Sequence, residues 1–213
     1  MKKLTKDQII KTAFEYADQN GLETLSMRKI SEKLNVKAMS LYNHVQNKDD
    51  ILGELVELGV SEIYLPIPGK SWKTEIKKRC NSAHEVLLDH RWLAMLLLTR
   101  INSGPVNLRY YDRTIGTLKE AGFSLQEADH AVNALDSHIF GFTLIELNFP
   151  FKQNEYAQAA AQYMHLIPQD HLPYLYDLTT MVASKKHKGI QDFNFGLDMI
   201  LEGLTKKLAN QKD

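Results

Sequence analysis

Residues 26–45, Ser26-Met-Arg-Lys-Ile-Ser-Glu-Lys-Leu-Asn-Val-Lys-Ala-Met-Ser-Leu-Tyr-Asn-His-Val45, read as two short helices joined by a tight turn. Ile30 and Leu34 stand four apart on one helical stripe, and Leu41 and Val45 repeat that spacing after a break. Two amphipathic turns therefore face one small core. Between them lies Leu34-Asn35-Val36, and asparagine is one of the few residues besides glycine that tolerates the left-handed conformation needed to end a helix abruptly. Ser26 is placed to cap the first helix. Asn47 is placed to cap a third that opens with Lys48, Asp49 and Asp50, whose carboxylates suit the positive end of the helix dipole. The pattern is a helix-turn-helix, and its expected partner is double-stranded DNA.

The second helix, Lys37 to Val45, is the one expected to enter the major groove. Once Leu41 and Val45 are buried, the face left over carries Lys37, Ala38, Met39, Ser40 and His44. Serine can hydrogen-bond any base, alanine and methionine offer apolar contact to a thymine methyl, and histidine can donate to a base or phosphate acceptor. Arg28 is the best candidate for a bidentate contact to guanine, with Lys29, Tyr42 and Lys48 placed to hold phosphates. Plainer readings stand beside these. Tyr42 can be a core aromatic, Met39 can be partly buried, His44 can be a surface histidine without a role, and Arg28 can pair with Glu32 across one helical turn in the free protein.

Charge favours the DNA reading. The chain has 26 basic and 26 acidic residues, yet residues 1–48 hold nine Lys and Arg against five Asp and Glu, leaving 17 against 21 beyond them. A neutral total hides a basic head, the footprint of phosphate binding. The single cysteine, Cys80, excludes an internal disulfide framework and any cysteine-rich zinc site and fits a reducing compartment. The opening Met-Lys-Lys-Leu-Thr-Lys-Asp has no continuous apolar run, so a cytoplasmic protein is expected. The longest apolar run, residues 92–98, is far short of the roughly 20 residues that span a bilayer.

The rest of the pattern is helical, and the expected fold class is all-α. A helix from Thr5 to Asn20 with Gly21 as its C-cap covers the helix-turn-helix, and the helix opened at Lys48 stops at Leu65-Pro66-Ile67-Pro68-Gly69. That divides the chain into a DNA-binding domain, 1–47, a connecting helix, 48–65, and a larger helical domain for effector binding and dimerisation, 66–213. Beyond the break helices are expected at 71–90, 92–101, 105–121, 124–148, 153–166, 171–186 and 190–209. On the last of these Phe193, Leu197, Ile200, Leu204 and Leu208 form one stripe, which either closes its own core or meets a symmetry mate; the two half-sites of a helix-turn-helix dimer, about 34 Å apart, favour the second.

Residues 5–64 resemble the DNA-binding domain of the TetR family of transcriptional regulators. The resemblance rests on Leu25-Ser26-Met27-Arg28-Lys29-Ile30, Leu34-Asn35-Val36 and Leu41-Tyr42-Asn43-His44-Val45 with Asn47-Lys48. It runs on past the break, where Pro66, Gly69-Lys70-Ser71-Trp72, Gly122-Phe123-Ser124-Leu125 and Phe195-Gly196-Leu197-Asp198 with Gly203-Leu204 are similar to the ligand-binding half of the family's tetracycline-responsive branch. This implies an all-helical homodimer in which the helices near 124–148 and 190–209 form a four-helix bundle, with a small-molecule pocket in each protomer. The positions where that branch holds drug and magnesium fall here on Ser61, Arg79, Leu97 and Arg100, and Glu146 matches an acidic pocket position. Leucine cannot ligate magnesium, so a different effector is expected, with no metal and no cofactor.

Arg79, Leu97, Arg100 and Glu146 are thus taken as effector-pocket candidates, together with His130 and Asn133. The last two share a polar face with Ser137 and Gly141 that either lines a pocket or meets a dimer partner. No nucleophile elbow, dinucleotide fingerprint or helical zinc-protease spacing is present, so no enzymatic activity is expected. The expected function is a ligand-responsive DNA-binding regulator, a repressor released from a palindromic operator. A small-molecule carrier, or a regulator without effector control, is the alternative with the same fold.

Overall fold

The computed structural model describes residues 4–187 and 192–210, apart from the side chain of residue 153. Among these the chain forms helices and no strands: α1 (Lys6–Asn20), α2 (Met27–Leu34), α3 (Ala38–Leu41), α4 (Lys48–Ser61), α5 (Trp72–Asp89), α6 (Leu93–Thr99), α7 (Pro105–Glu120), α8 (Leu125–Asn148), α9 (Tyr156–Tyr163), α10 (Pro173–Ala183) and α11 (Phe193–Ala209). Residues 190 and 191, where the periodicity starts the last helix, lie outside the described residues.

The capping chemistry sets these limits. Thr5 and Gln8 form a reciprocal capping box at α1, and Gly21 closes that helix at φ 83°. Ser26 Oγ accepts from the Lys29 N–H at the start of α2, and Asn35 ends it in the left-handed region, φ 53° and ψ 46°. Asn47 Oδ1 accepts from the Asp50 N–H to open α4, and Ser124 with Glu127 forms a second capping box at α8. Three extents differ from expectation. Helix α4 ends at Ser61 and not at residue 65, because the Glu62 and Ile63 N–H groups turn back onto the Gly59 and Val60 carbonyls in 3₁₀ fashion. Helix α3 is one turn, Ala38–Leu41, because the Leu41 carbonyl accepts from both His44 and Val45 N–H groups and the chain then bends toward the Asn47 cap. Residues 153–166 form a short helix flanked by single 3₁₀ turns instead of one continuous helix.

One apolar core runs through the molecule. Ile9, Phe14, Ile30, Leu41 and Val45 are buried where α1, α2 and α3 meet, and Ile51, Leu55, Val56 and Val60 continue the core along α4. Ile76, Leu87, Leu93, Leu118, Leu135 and Leu201 carry it through α5, α6, α7, α8 and α11. Helix α4 packs against α1 on one side and against α6 and α7 on the other. Its crossing with α6 needs Gly59, since a Cβ there would stand 2.6 Å from a Leu93 methyl.

The stripe expected to meet a symmetry mate packs mainly inside the protomer. Phe193, Leu197 and Leu201 are buried, and Ile200, Leu204 and Leu208 are partly buried against the same core. The open face of α11 is turned away from it and carries Phe195 and Met199, 68% and 61% exposed. The stripe is a packing seam, but in place of the expected symmetry mate its partners are α5 and α8 of the same chain. Helices α9 and α10 pack chiefly on each other, and α10 has no buried residue, with Tyr174 89% exposed.

Beyond α4 the chain is clipped to α5 by Glu75. Its buried carboxylate accepts from the Tyr64 hydroxyl at 2.6 Å, from the Ile67 N–H at 3.0 Å and from Lys78 Nζ at 3.1 Å. The Tyr64 bond, opposed by burial and reinforced by Ile67 and Lys78, holds the carboxyl down to about 2 from an ordinary 4.5. A depressed carboxyl adds stability that is complete above its unfolded value and is lost as pH falls through the folded one. Denaturant midpoints measured at about pH 7 and about pH 3 should therefore fall further for the wild type than for Glu75→Gln. Equal falls would mean that these contacts carry no linkage.

Candidate functional site

The helix-turn-helix presents its predicted residues outward. Arg28, Lys29, Lys37, Ala38, Met39, Tyr42 and Lys48 are exposed, and Ser40 and His44 are half-buried. Met39 is 76% exposed on a helix whose other large apolar residue, Leu41, is fully buried, so it is open to a partner. Tyr42 is also open, which sets aside its reading as a core aromatic. Arg28 Nε meets Glu32 Oε1 at 2.8 Å, and Lys29 Nζ meets the other oxygen at 3.5 Å. In the free protein Arg28 is thus held on its own helix, an exposed pair that costs little to break when phosphate or a base edge competes.

The effector candidates do not converge on one place. Arg79 and Leu97 line a narrow cavity of about 10 Å³ between α4, α5, α6, α7 and α8. Sequence reasoning missed the cavity's other polar groups, Asn107, Tyr110 and Tyr111 on α7 and Asp136 on α8. One of them had a readable signal: Asp136 stands one helical turn from Val132 and Phe140, a carboxylate on the inward side of α8. Arg79 is only 1% exposed; its Nη2 meets Asp136 Oδ1 at 2.5 Å and its guanidinium lies 4.7 Å from the Tyr110 ring centre. Burial raises the Tyr110 hydroxyl well above the ordinary tyrosine range.

Arg100 lies outside that cavity and pairs with Asp49 at 2.6 Å, tying the end of α6 to the first turn of α4. Glu146 is 3.3 Å from His84 Nε2, while His84 Nδ1 meets the Thr143 hydroxyl at 2.8 Å and its ring stacks on Phe193. Burial, partly offset by Glu146, lowers the His84 pKa. His130 and Asn133 are exposed and line no part of the cavity, because the buried face of α8 is set by Ala128, Val132, Leu135 and Ile139 and their own positions fall opposite it. The pocket reading of these two is corrected; the exposed polar face remains. Among the described residues no group of three or more acidic, histidine or cysteine side chains is arranged to hold a metal. Among the described residues no helix is long and apolar enough to cross a membrane.

Three polar ties join the helix-turn-helix and α4 to the helices around the cavity. Glu57 of α4 accepts from the Val106 and Asn107 N–H groups, at 2.7 and 3.0 Å, and so satisfies the N-terminus of α7. Gly104 beside it leaves room for that carboxylate, which a Cβ would meet at 2.2 Å. Arg100 and Asp49 make the second tie. In the third, His90 after α5 bridges Asp18 of α1, at 2.8 Å, and Glu62 after α4, at 3.1 Å, while Trp92 Nε1 donates to the same Asp18 oxygen.

The family model described as Bacterial regulatory proteins, tetR family, matches residues 9–55, and Tetracyclin repressor-like, C-terminal domain, matches residues 65–208. An HTH-type transcriptional regulator of Saccharopolyspora erythraea is 37% identical over 139 residues, which span 65% of this chain and only 59% of that protein. The class E tetracycline repressor protein of Escherichia coli is 26% identical over 215 residues, covering 100% of this chain and 96% of the repressor. Among solved structures, the TetR family protein ActR of Streptomyces coelicolor in complex with (S)-DNPA superimposes with a TM-score of 0.82 at 27% identity, covering 97% of this chain and 100% of that one.

The His90 bridge yields a pH dependence. Burial disfavours the charged ring, but the hydrogen bonds to Asp18 and Glu62 outweigh it and raise the imidazole above its ordinary 6.5. A raised histidine contributes stability that is complete below its unfolded value and is lost as pH rises through the folded one. Melting temperature should therefore decline from about pH 6 to about pH 8 more steeply in the wild type than in His90→Gln. Parallel curves would remove the bridge as a contributor.

Proposed function

The chain belongs to the TetR family of bacterial regulators, and on that premise we propose a ligand-responsive repressor whose residues 1–47 read a palindromic operator and whose residues 66–213 bind a small-molecule effector and pair as a homodimer. Residues 48–65 connect the two. Such a protein works where the DNA is, in the cytoplasm, and carries out no chemistry of its own. ActR and the class E tetracycline repressor, each matched over nearly its whole length, supply the analogy for effector control and for repression.

The observation that carries the reading is α4. Val60 at its far end and Ile63 just beyond it line the cavity, while Ile51 and Leu55 nearer its start belong to the core shared with the helix-turn-helix. A ligand that enlarges the cavity displaces α4 and α6, and Arg100–Asp49, Glu57 and His90 pass that displacement to the head. The effector then shifts the population toward dimers whose α3 helices no longer match successive major grooves. In those grooves Met39 and Ala38 contact thymine methyls, Ser40 and His44 contact base edges, and Arg28 leaves Glu32 for guanine or phosphate. Lys29, Tyr42 and Lys48 hold the backbone, and Lys37 lies on the face that enters the groove. The dimer forms on the open face of α8 and α11, where Phe195, Met199 and Ile145 are exposed and His130 and Asn133 add polar contacts.

Fluorescence anisotropy on DNA from upstream of the gene, across a salt series, tests the proposal. Arg28→Ala should weaken specific binding by about 1–3 kcal/mol, roughly 5- to 150-fold, and Tyr42→Phe should weaken binding to all sequences alike. Arg100→Ala should leave operator affinity in place and blunt release by effector. Binding no tighter than to random duplex, confirmed after random-duplex selection, would return the chain to the carrier reading.

A further inference from the structure

The cavity around Arg79 specifies the chemistry of what enters it. Arg79 is fully buried, yet only its Nη2 is paired; Nε and Nη1 have no hydrogen-bond partner among the described residues. Asn107 shows the complementary lack. Its amide nitrogen donates to the Asn102 carbonyl at 2.7 Å, but its Oδ1, equally buried, accepts from no group among the described residues. Buried polar groups are nearly always satisfied, and an arginine retains its charge in any surroundings, so unused guanidinium donors inside a core are costly. Around them stand the rings of Tyr110, Tyr111 and Phe140. The apolar walls exclude a strongly hydrated inorganic ion and suit a flat ring.

We infer that this cavity is the effector subsite and that its ligand is a planar aromatic acid carrying a hydroxyl group. The anionic oxygens take the free donors of Arg79, the hydroxyl donates to Asn107 Oδ1, and the ring lies among Tyr110, Tyr111 and Phe140. This rests on the proposed regulator and names the class of its effector. Asp136 keeps Arg79 in place and is a positioning residue. The free interior, about 10 Å³, is room for about one water-sized sphere. A ring can therefore enter only as α4, α6 and α7 move apart, so binding and the displacement of α4 are one event.

The test uses full-length protein, 6-hydroxy-2-naphthoate, whose hydroxyl is too far from the carboxylate to donate to it, and its methyl ester, which keeps ring and hydroxyl and removes the charge. Calorimetry should give the acid at least about tenfold tighter binding than the ester, as a charge-assisted pair requires. 2-Naphthoate, lacking the hydroxyl, should bind more weakly than the hydroxy acid, and that difference should vanish in Asn107→Leu. Removing Arg79 alone leaves Asp136 buried and unpaired, so the variant to make is the double Arg79→Met, Asp136→Leu, with its melting curve as the folding control. In it the preference for acid over ester should disappear. Equal binding of acid and ester by the wild type, no binding of either, or a preference that survives in the folded double variant each overturns the inference. If the double variant does not fold, the wild-type comparison of acid with ester still decides. Operator anisotropy on the same preparation separates the two layers: protein that binds no operator contradicts the regulator, whereas protein that binds operator but ignores the charge contradicts only the effector class.

Discussion

Helix α4 belongs to two packed regions at once, and the rest of the molecule is arranged around that constraint. Ile51, Leu55, Val56 and Val60 are buried along it, and it packs against α1 as well as against α6 and α7. A helix that packs closely at both ends moves as a rod, because packed interiors repack between discrete arrangements instead of deforming smoothly. Gly59 brings α6 to within side-chain contact of the α4 backbone. Glu57 and Asp49, on the same helix, place carboxylates where charge favours them. Glu57 sits at the positive N-terminus of α7, and Asp49 in the first turn of α4 itself, held by Arg100. Both of these ties therefore end on helix termini near the cavity or the head.

The helix-turn-helix was almost fully legible in the sequence because its determinants are local. Ser26, Asn35 and Asn47 act on backbone groups within three residues, and the apolar spacing of Ile30, Leu41 and Val45 needs no distant partner to be read. The same holds for Gly21, Ser124 and the Pro66–Gly69 break. The length of α3 was not legible, since ending it after one turn depends on how the Leu41 carbonyl is shared. Long-range placement was harder. Arg79 and Arg100 are both arginines within helical segments, and nothing near either in sequence announces that one pairs with Asp136 inside the core and the other with Asp49 at the head. The stripe on α11 shows the same limit: periodicity identifies an apolar face but not whether the covering surface belongs to the same chain.

A half-satisfied guanidinium is a poor way to stabilise a core, since replacing a buried ion pair with apolar groups of similar volume is often neutral or stabilising. Its value lies in what it does to a binding equilibrium. Moving a two-state protein from one part in a hundred to ninety-nine requires about 5.5 kcal/mol of differential affinity. A surface ion pair supplies about 1 kcal/mol at most, so an effector held there cannot drive the change. Hydrogen bonds to a charged group, each worth roughly 1.5–3 kcal/mol when buried, reach that figure with two or three contacts. Arg79 and Asn107 offer that number of unpaired groups, in a narrow space bordered by the end of α4. For the effector inferred above, the contacts form only once α4 is displaced, which is the condition for a ligand to shift a population instead of merely occupying a site.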